Sequence, residues 1–377
     1  MFLYLTDEQE KLRSDVTSFV EKKVKPVAFE LDEKCKFPVE LFREIGERGW
    51  FKFNVPKKYG GLGKSTVNLF IVFSEIAKGL ASLSVSLDTQ YLLMEALNLY
   101  GSDYLKEKYI PSLVKGEIIA AFALTEKTAG SDIGGITGTA KKDGNEYVLN
   151  GEKRIVVSGT VADIYLVFLK TDPTKGAKGL SAFIVERNME GVSVEPLNSS
   201  GLRACGLGKL VLNDVRVPLE NLVGSEGEGA KIALSVLDFG RIGIASIAYG
   251  IAQAAFEAAV EYAKERKQFN TPISSFQGLR WMLAELAVEI EAAKLLILEA
   301  AAMRDKGLRY TKEAAMAKLY SSKVAVKAAL TAIQVFGHYG YLKDKPLERY
   351  LRDAKGLEIA EGTSEIQKLV IARQIFS

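Results

Sequence analysis

Histidine is almost missing from this chain: His338 is the only one in 377 residues. Zinc sites built on several histidines are excluded, and a Ser-His-Asp triad would have to use that residue, whose Gly337-His338-Tyr339-Gly340 setting favours a turn. Cysteine is scarce too. Cys35 and Cys205 lie far apart without metal-ligand spacing, so neither a disulfide framework nor a metal site is expected. Charge of one sign is lacking: 50 basic and 47 acidic residues leave a net +3, which gives no electrostatic case for binding nucleic acid. The opening residues Met1-Phe2-Leu3-Tyr4-Leu5-Thr6-Asp7 turn acidic before any apolar run reaches signal-peptide length. No later stretch reads as a membrane span, so a cytoplasmic protein is expected. A standard nucleotide loop is also absent. Gly61-Leu62-Gly63-Lys64-Ser65 imitates the end of a phosphate loop, but Lys58 stands where the leading glycine belongs, and Gly224-Ser225-Glu226-Gly227-Glu228-Gly229 lacks dinucleotide spacing. Internal repeats and low-complexity linkers are not seen.

What is present is a chain 48% hydrophobic and 26% charged, enough to bury a large core in two or three domains. The pattern predicts an α+β multidomain protein in three blocks, 1–116, 117–225 and 226–377. The first is helical, with Leu12, Val16, Phe19 and Val20, then Leu41, Ile45 and Trp50, at helical spacing. The second has short apolar runs such as Ile164-Tyr165-Leu166-Val167-Phe168-Leu169. Lys142-Asp143-Gly144-Asn145 and Leu149-Asn150-Gly151-Glu152 are read as its hairpin turns, which makes it a β-barrel or sandwich. The third has long alanine-rich amphipathic helices over 230–267, 275–306 and 311–336, followed by a terminal segment, as in a four-helix bundle.

Near the end lies Ile359-Ala360-Glu361-Gly362-Thr363-Ser364-Glu365-Ile366-Gln367. Ser364 with Gln367 three residues on has the form of a capping box, which places Glu361 at the turn before a helix. Gly362 lets backbone approach a ligand, and the first helical amides are free donors. From this stretch alone, a catalytic carboxylate and an ordinary loop acid are equally good readings.

Four motifs add to it. They are Ala123-Leu124-Thr125-Glu126-Lys127-Thr128-Ala129-Gly130-Ser131-Asp132, Tyr262-Ala263-Lys264-Glu265-Arg266-Lys267-Gln268-Phe269 with Gln277, Gln334-Val335-Phe336-Gly337-His338-Tyr339-Gly340, and Leu237-Asp238-Phe239-Gly240-Arg241 with Glu361-Gly362-Thr363-Ser364. Their order resembles the acyl-CoA dehydrogenase family across essentially the whole chain. The resemblance implies bound FAD. Phe122, Leu124, Thr125, Gly130, Ser131, Ile155, Val157, Ser158, Thr363 and Glu365 would contact it, while Arg266, Gln268, Phe269, Gln277, Gln334, Gly337 and His338 would hold its adenosine-diphosphate half across a dimer interface. An arginine fork suits phosphate oxygens. Ser131, Asp238, Arg241 and Gly362 would contact the acyl-CoA. Some branches carry their base immediately before the arginine of the Leu237 motif; Gly240 stands there, so the resemblance leaves Glu361 as the base.

The implied reaction is α,β-dehydrogenation of an acyl-CoA thioester, with Glu361 taking the α proton and FAD the β hydride. An electron-transfer flavoprotein would accept the electrons, and the protein would be a homotetramer built as a dimer of dimers. Ile155-Val156-Val157-Ser158 departs from the family, where an aromatic residue and a hydroxyl usually stand against the flavin. Ser158 or backbone amides would have to compensate, and an exposed flavin keeps an oxygen-using acyl-CoA oxidase open as the alternative. A non-catalytic relative that binds nucleic acid is the less favoured third reading. Gln90, Leu92 and Met94 are candidates for the base of the acyl pocket.

Overall fold

The computed structural model describes residues 5–63 and 65–376. Met1-Phe2-Leu3-Tyr4 of the signal-peptide argument, Lys64 of the discarded phosphate-loop match and the terminal Ser377 lie outside the described residues.

Five helices open the chain: α1 (Asp7–Phe19), α2 (Lys25–Glu33), α3 (Val39–Glu47), α4 (Thr66–Tyr100) and α5 (Asp103–Val114). Caps set their starts. The Thr6 hydroxyl accepts from Gln9 N and the Gln9 side chain accepts from Thr6 N, a reciprocal box that satisfies two donors of the first turn. Helix α4 is almost wholly buried and breaks at Leu80, where φ is −154° and ψ 98°.

Eight strands follow: β1 (Ala120–Ala123), β2 (Thr139–Asp143), β3 (Glu146–Val156), β4 (Ile164–Lys170), β5 (Leu180–Glu186), β6 (Val192–Pro196), β7 (Gly208–Pro218) and β8 (Leu222–Val223). They form one path, β6-β7-β3-β2-β4-β5-β8, with β1 parallel to β4. Strands β2 and β4 meet only at Thr139 and Lys170, so the path divides into two antiparallel halves. Tyr147 of β3 and Phe183 of β5 pack between them with ring centroids 4.9 Å apart, so the sandwich is the better description of the two expected forms.

The turn at Gly144 and Asn145 joins β2 to β3 as expected. Leu149-Asn150-Gly151-Glu152 is not a turn. It lies inside β3, where the register on β7 shifts between Leu149 and Gly151, and Asn150 and Asp214 exchange hydrogen bonds of 2.8 and 2.9 Å across the irregularity. A β-bulge uses the same Asn-Gly chemistry as a hairpin, which is why the signal misled.

The last block holds α6 (Gly229–Glu265), a two-stranded hairpin of β9 (Lys267–Gln268) and β10 (Thr271–Pro272), α7 (Gln277–Asp305), α8 (Thr311–Phe336), α9 (Leu347–Ile359) and α10 (Ser364–Ile375). Helix α8 packs on α6, α7, α9 and α10, so α9 and α10 together complete the bundle. Helix α6 also runs along α4. Glycines let the two backbones approach: a Cβ on Gly250 would stand 2.2 Å from the Ser74 carbonyl oxygen. One expectation needs correction here. Both α4 and α6 are long and apolar enough by composition to cross a bilayer, but 94% and 72% of their most apolar windows are buried inside the protein, because each covers the other.

Candidate active site

A cavity of about 320 Å³ opens between the strands and the bundle. Its β wall is made by Phe122, Leu124, Thr125, Gly130, Ser131, Ile155 and Val157; Val85, Thr89 and Leu92 of α4 and Leu237, Arg241 and Ile244 of α6 form another side, and Ala360, Glu361, Gly362 and Thr363 close it. Glu361 sits between α9 and α10 in the left-handed region, φ +52°, followed by Gly362 at +97°. Two successive left-handed residues reverse the chain and bring the carboxylate back over α6. There its Oε2 is buried without a hydrogen-bond partner, 2.0 Å from where a Cβ on Gly240 would lie.

The reversal is pinned from below. Gln367 donates to the carbonyls of Glu361 (3.2 Å) and Gly362 (2.8 Å), and Lys318 donates to those of Glu358 (3.0 Å) and Gly362 (2.8 Å). Both side chains are fully buried. The helix cap differs from the expected one. Thr363, not Ser364, caps α10 by accepting from Ile366 N at 3.4 Å, which frees Gln367 to hold the loop. Burial pushes the Glu361 carboxyl above its ordinary range; Asp88, Lys318 and Arg241 oppose that shift without cancelling it. Burial also pushes Lys318 down to about 8, against the pull of the Glu361 charge.

The β wall is clamped by a buried ion pair. Lys153 reaches Glu126 at 2.7 Å and the Leu124 carbonyl at 3.2 Å, while Glu126 accepts from the backbone N–H (2.7 Å) and hydroxyl (2.8 Å) of Thr137 and from Gly138 N (3.0 Å). Burial raises Glu126, but the Lys153 charge and these hydrogen bonds win and hold it below the usual range. The clamp fixes both ends of the loop that carries Thr125, Gly130 and Ser131.

Three family models match the chain: the acyl-CoA dehydrogenase N-terminal domain over residues 6–117, the middle domain over 121–215 and the C-terminal domain over 227–376. The chain belongs to the acyl-CoA dehydrogenase family. It is 46% identical to the short-chain-specific acyl-CoA dehydrogenase of Clostridium acetobutylicum, with 99% of each chain covered. Among solved structures, butyryl-CoA dehydrogenase from Megasphaera elsdenii superposes with a TM-score of 0.98 at 38% identity, covering 100% of both chains. A chain from a study of the electron transferring flavoprotein of Acidaminococcus fermentans gives a TM-score of 0.97 at 38% identity over 100% of this chain and 99% of that one. The protein is an FAD-dependent acyl-CoA dehydrogenase, and these relatives favour that activity over an oxidase.

The cavity of this acyl-CoA dehydrogenase fits a flat cofactor against its β wall. A Cβ on Gly130 would meet nothing within 4 Å, so that backbone is open to a ligand. Ile155 is 63% exposed at φ +57°, a strained setting for a β-branched side chain that otherwise has no reason to face open space. Phe122, Leu124, Thr125, Gly130, Ser131, Ile155, Val157, Arg241, Glu361, Gly362 and Thr363 are thus brought together. Other expected residues are not. Ser158 is fully buried, its hydroxyl has no hydrogen-bond partner among the described residues, and it does not line the cavity. Asp238 also stands off the cavity, paired with Arg241 and accepting from the Thr311 hydroxyl at 2.7 Å. Glu365 is exposed on the first turn of α10.

Arg266, Gln268, Phe269, Gln277, Gln334, Gly337 and His338 form a separate surface group. The Arg266 guanidinium lies 5.7 Å from the Tyr339 ring, which joins the two motifs, and Phe269 is 90% exposed. Of the pocket-base candidates, Leu92 lines the cavity. Gln90 is consumed by the backbone of Leu113, Ile118 and Ala120, and Met94 is buried elsewhere. Sequence reasoning missed Asp88, Lys318 and Gly243. A signal for the first existed: Asp88 is the one acid in the run Leu80 to Leu93, otherwise apolar, small or neutral.

Proposed function

We propose that Glu361 is the base that removes the α proton of a bound acyl-CoA thioester, and that the thioester lies between this carboxylate and the wall of Thr125, Gly130 and Ser131. The observation that carries the reading is the half-buried Glu361, in a turn of two left-handed residues, lining the same cavity as that wall. Phe122, Leu124, Thr125, Gly130, Ile155 and Val157 would hold FAD, which would supply the hydride acceptor. Glutamate in water has a pKa of about 4.3, a weak base for such a proton, and burial strengthens it. A positioned base contributes roughly 100- to 10,000-fold in rate. The Glu361 N–H, which makes no backbone hydrogen bond among the described residues, is free to donate to the thioester oxygen, and Ser131, Arg241 and Gly362 orient the ligand.

The same reading assigns Arg266, Gln268, Phe269, Gln277, Gln334, Gly337 and His338 to the adenosine-diphosphate half of the cofactor bound by a second copy, in a homotetramer. The exposed pair Phe269 and Phe276, in edge-to-face contact, supports this, since adjoining apolar rings left in water are the start of an interface patch. We assign the electrons to an electron-transfer flavoprotein and the enzyme to the cytoplasm, and we read its units as residues 1–116, 117–225 and 226–377. Glu361→Gln is expected to keep FAD bound yet lose the anaerobic bleaching of the flavin by butyryl-CoA. Bleaching at the wild-type rate would sink the assignment.

A further inference from the structure

Behind Glu361, away from the cavity, lies a second carboxyl group that the reaction does not use. Asp88 projects from α4 toward α6 and is fully buried, and neither of its oxygens has a hydrogen-bond partner among the described residues. Its neighbours Val85, Thr89 and Leu92 line the cavity, but Asp88 does not. The side chain fits only because α6 has a glycine there: a Cβ on Gly243 would stand 1.9 Å from Asp88 Oδ1. One turn earlier, Gly240 makes the matching space for Glu361 Oε2, at 2.0 Å. Two glycines of one helix thus admit two carboxyl groups, which face each other.

Three buried acceptor oxygens without a donor are costly, and two buried carboxylates side by side repel. One proton removes both problems. Shared within the pair, it turns one acid into a donor and the other into its acceptor.

The surroundings decide which acid carries it. Glu361 faces Lys318 from α8 and Arg241 from α6, and both cations favour its anion. Glu358 of α9 and Glu365 of α10 act on Lys318 rather than on the pair. Asp88 experiences burial and the Glu361 charge, with no cation among the described residues to offset them.

We propose that Asp88 is a positioning residue for Glu361: it holds the shared proton and donates it as a hydrogen bond to the buried side of the Glu361 carboxylate. This rests on the reading of Glu361 as the base. The bond fixes the carboxylate against α6, leaves its other oxygen for the thioester, and keeps Glu361 ionised at a lower pH than its burial would otherwise allow. Without that donor, a buried base would hold its own proton and be idle near neutrality.

The test uses the FAD-loaded enzyme with Asp88→Asn, which keeps a donor, and Asp88→Leu, of similar size but without one. In infrared difference spectra at pH 8 without substrate, where Asp353, pushed up by burial to about 7, is mostly ionised, wild type is expected to show a protonated-carboxyl band that Asp88→Asn lacks. The pH profile of anaerobic flavin reduction by butyryl-CoA supplies the second readout. Asp88→Leu is expected to move its rising limb upward by at least about one pH unit, a tenfold change in proton affinity, and Asp88→Asn by less than about half of that. A band that persists in Asp88→Asn, or a limb unmoved in Asp88→Leu, overturns the proposal. Glu361→Gln separates the two ideas: if it reduces flavin normally, the base assignment fails, whereas a dead Glu361→Gln beside unshifted Asp88 variants fails only the positioning role.

Discussion

At the scale of the residue, the position of Gly240 is the sharpest constraint on the site. In the sequence Gly240 marks only the place where some branches of the family keep a base. The geometry shows why the two positions compete: a β carbon at 240 and the Glu361 carboxylate would occupy the same space. Gly240→Ala should therefore displace the carboxylate and lower the rate of flavin reduction at least about 100-fold, the lower range for losing a positioned base. Stopped-flow reduction by butyryl-CoA checks it, with retained FAD as the control. Lys318 offers a second residue-scale prediction. Its folded-state pKa, pushed down by burial to about 8, lies below that of the unfolded chain, so between pH 8 and 10.5 the unfolded state binds more protons and stability rises with pH. Lys318→Met should lack this rise. Unfolding free energies from urea titrations across that window should diverge by on the order of 1 kcal/mol per pH unit, with wild type gaining.

At the scale of the element, the stretch joining α9 to α10 is a strained reversal held by two buried side chains rather than by its own backbone. Gln367→Leu would leave the carbonyls of Glu361 and Gly362 without that donor, at a cost of about 1 to 3 kcal/mol. The expected outcome is slower flavin reduction, with FAD content and circular dichroism near wild type, since none of these groups lies on the β wall. The end of β3 carries the opposite kind of strain. Ile155 holds a left-handed backbone at an exposed apolar position, a conformation that disfavours most side chains by roughly 1 to 2 kcal/mol. Ile155→Asn should raise the melting temperature of the apoprotein while weakening FAD retention. A variant that melts higher and keeps its flavin equally well would show that the wall is not a cofactor contact.

At the scale of the whole molecule, the cavity and the Arg266–His338 group are separate surfaces of one chain, and the proposed assembly sets the second surface of one copy against the cofactor of another. Phe269 is the exposed centre of the second surface, with Phe276 in edge contact at 6.2 Å. Phe269→Ser combined with Arg266→Ala should lower FAD affinity at least about tenfold, the loss of roughly 1.4 kcal/mol of contacts, and should shift the assembly toward smaller species in light scattering. If flavin affinity and mass are both unchanged, the interface assignment fails.

Much of this protein was legible because the signals were local. Helical spacing and strand runs act over a few residues, and the chain order of helix, strand and helix follows from them. Glu361 before a helix and glycine at 240 could likewise be read directly, as could the departure at Ile155 to Ser158. Where the local signal had two uses it failed: Asn150-Gly151 served a bulge instead of a turn, and Thr363 rather than Ser364 caps α10 while Gln367 holds the loop. Tertiary structure alone decided the rest. It packed α4 on α6 so that two spans of membrane-like composition became a core, turned Ser158 inward, and set Asp88 against Glu361 over the space left by Gly240 and Gly243. Those outcomes depend on which helix faces meet. That is a property of the packed chain, which no window of neighbouring residues contains.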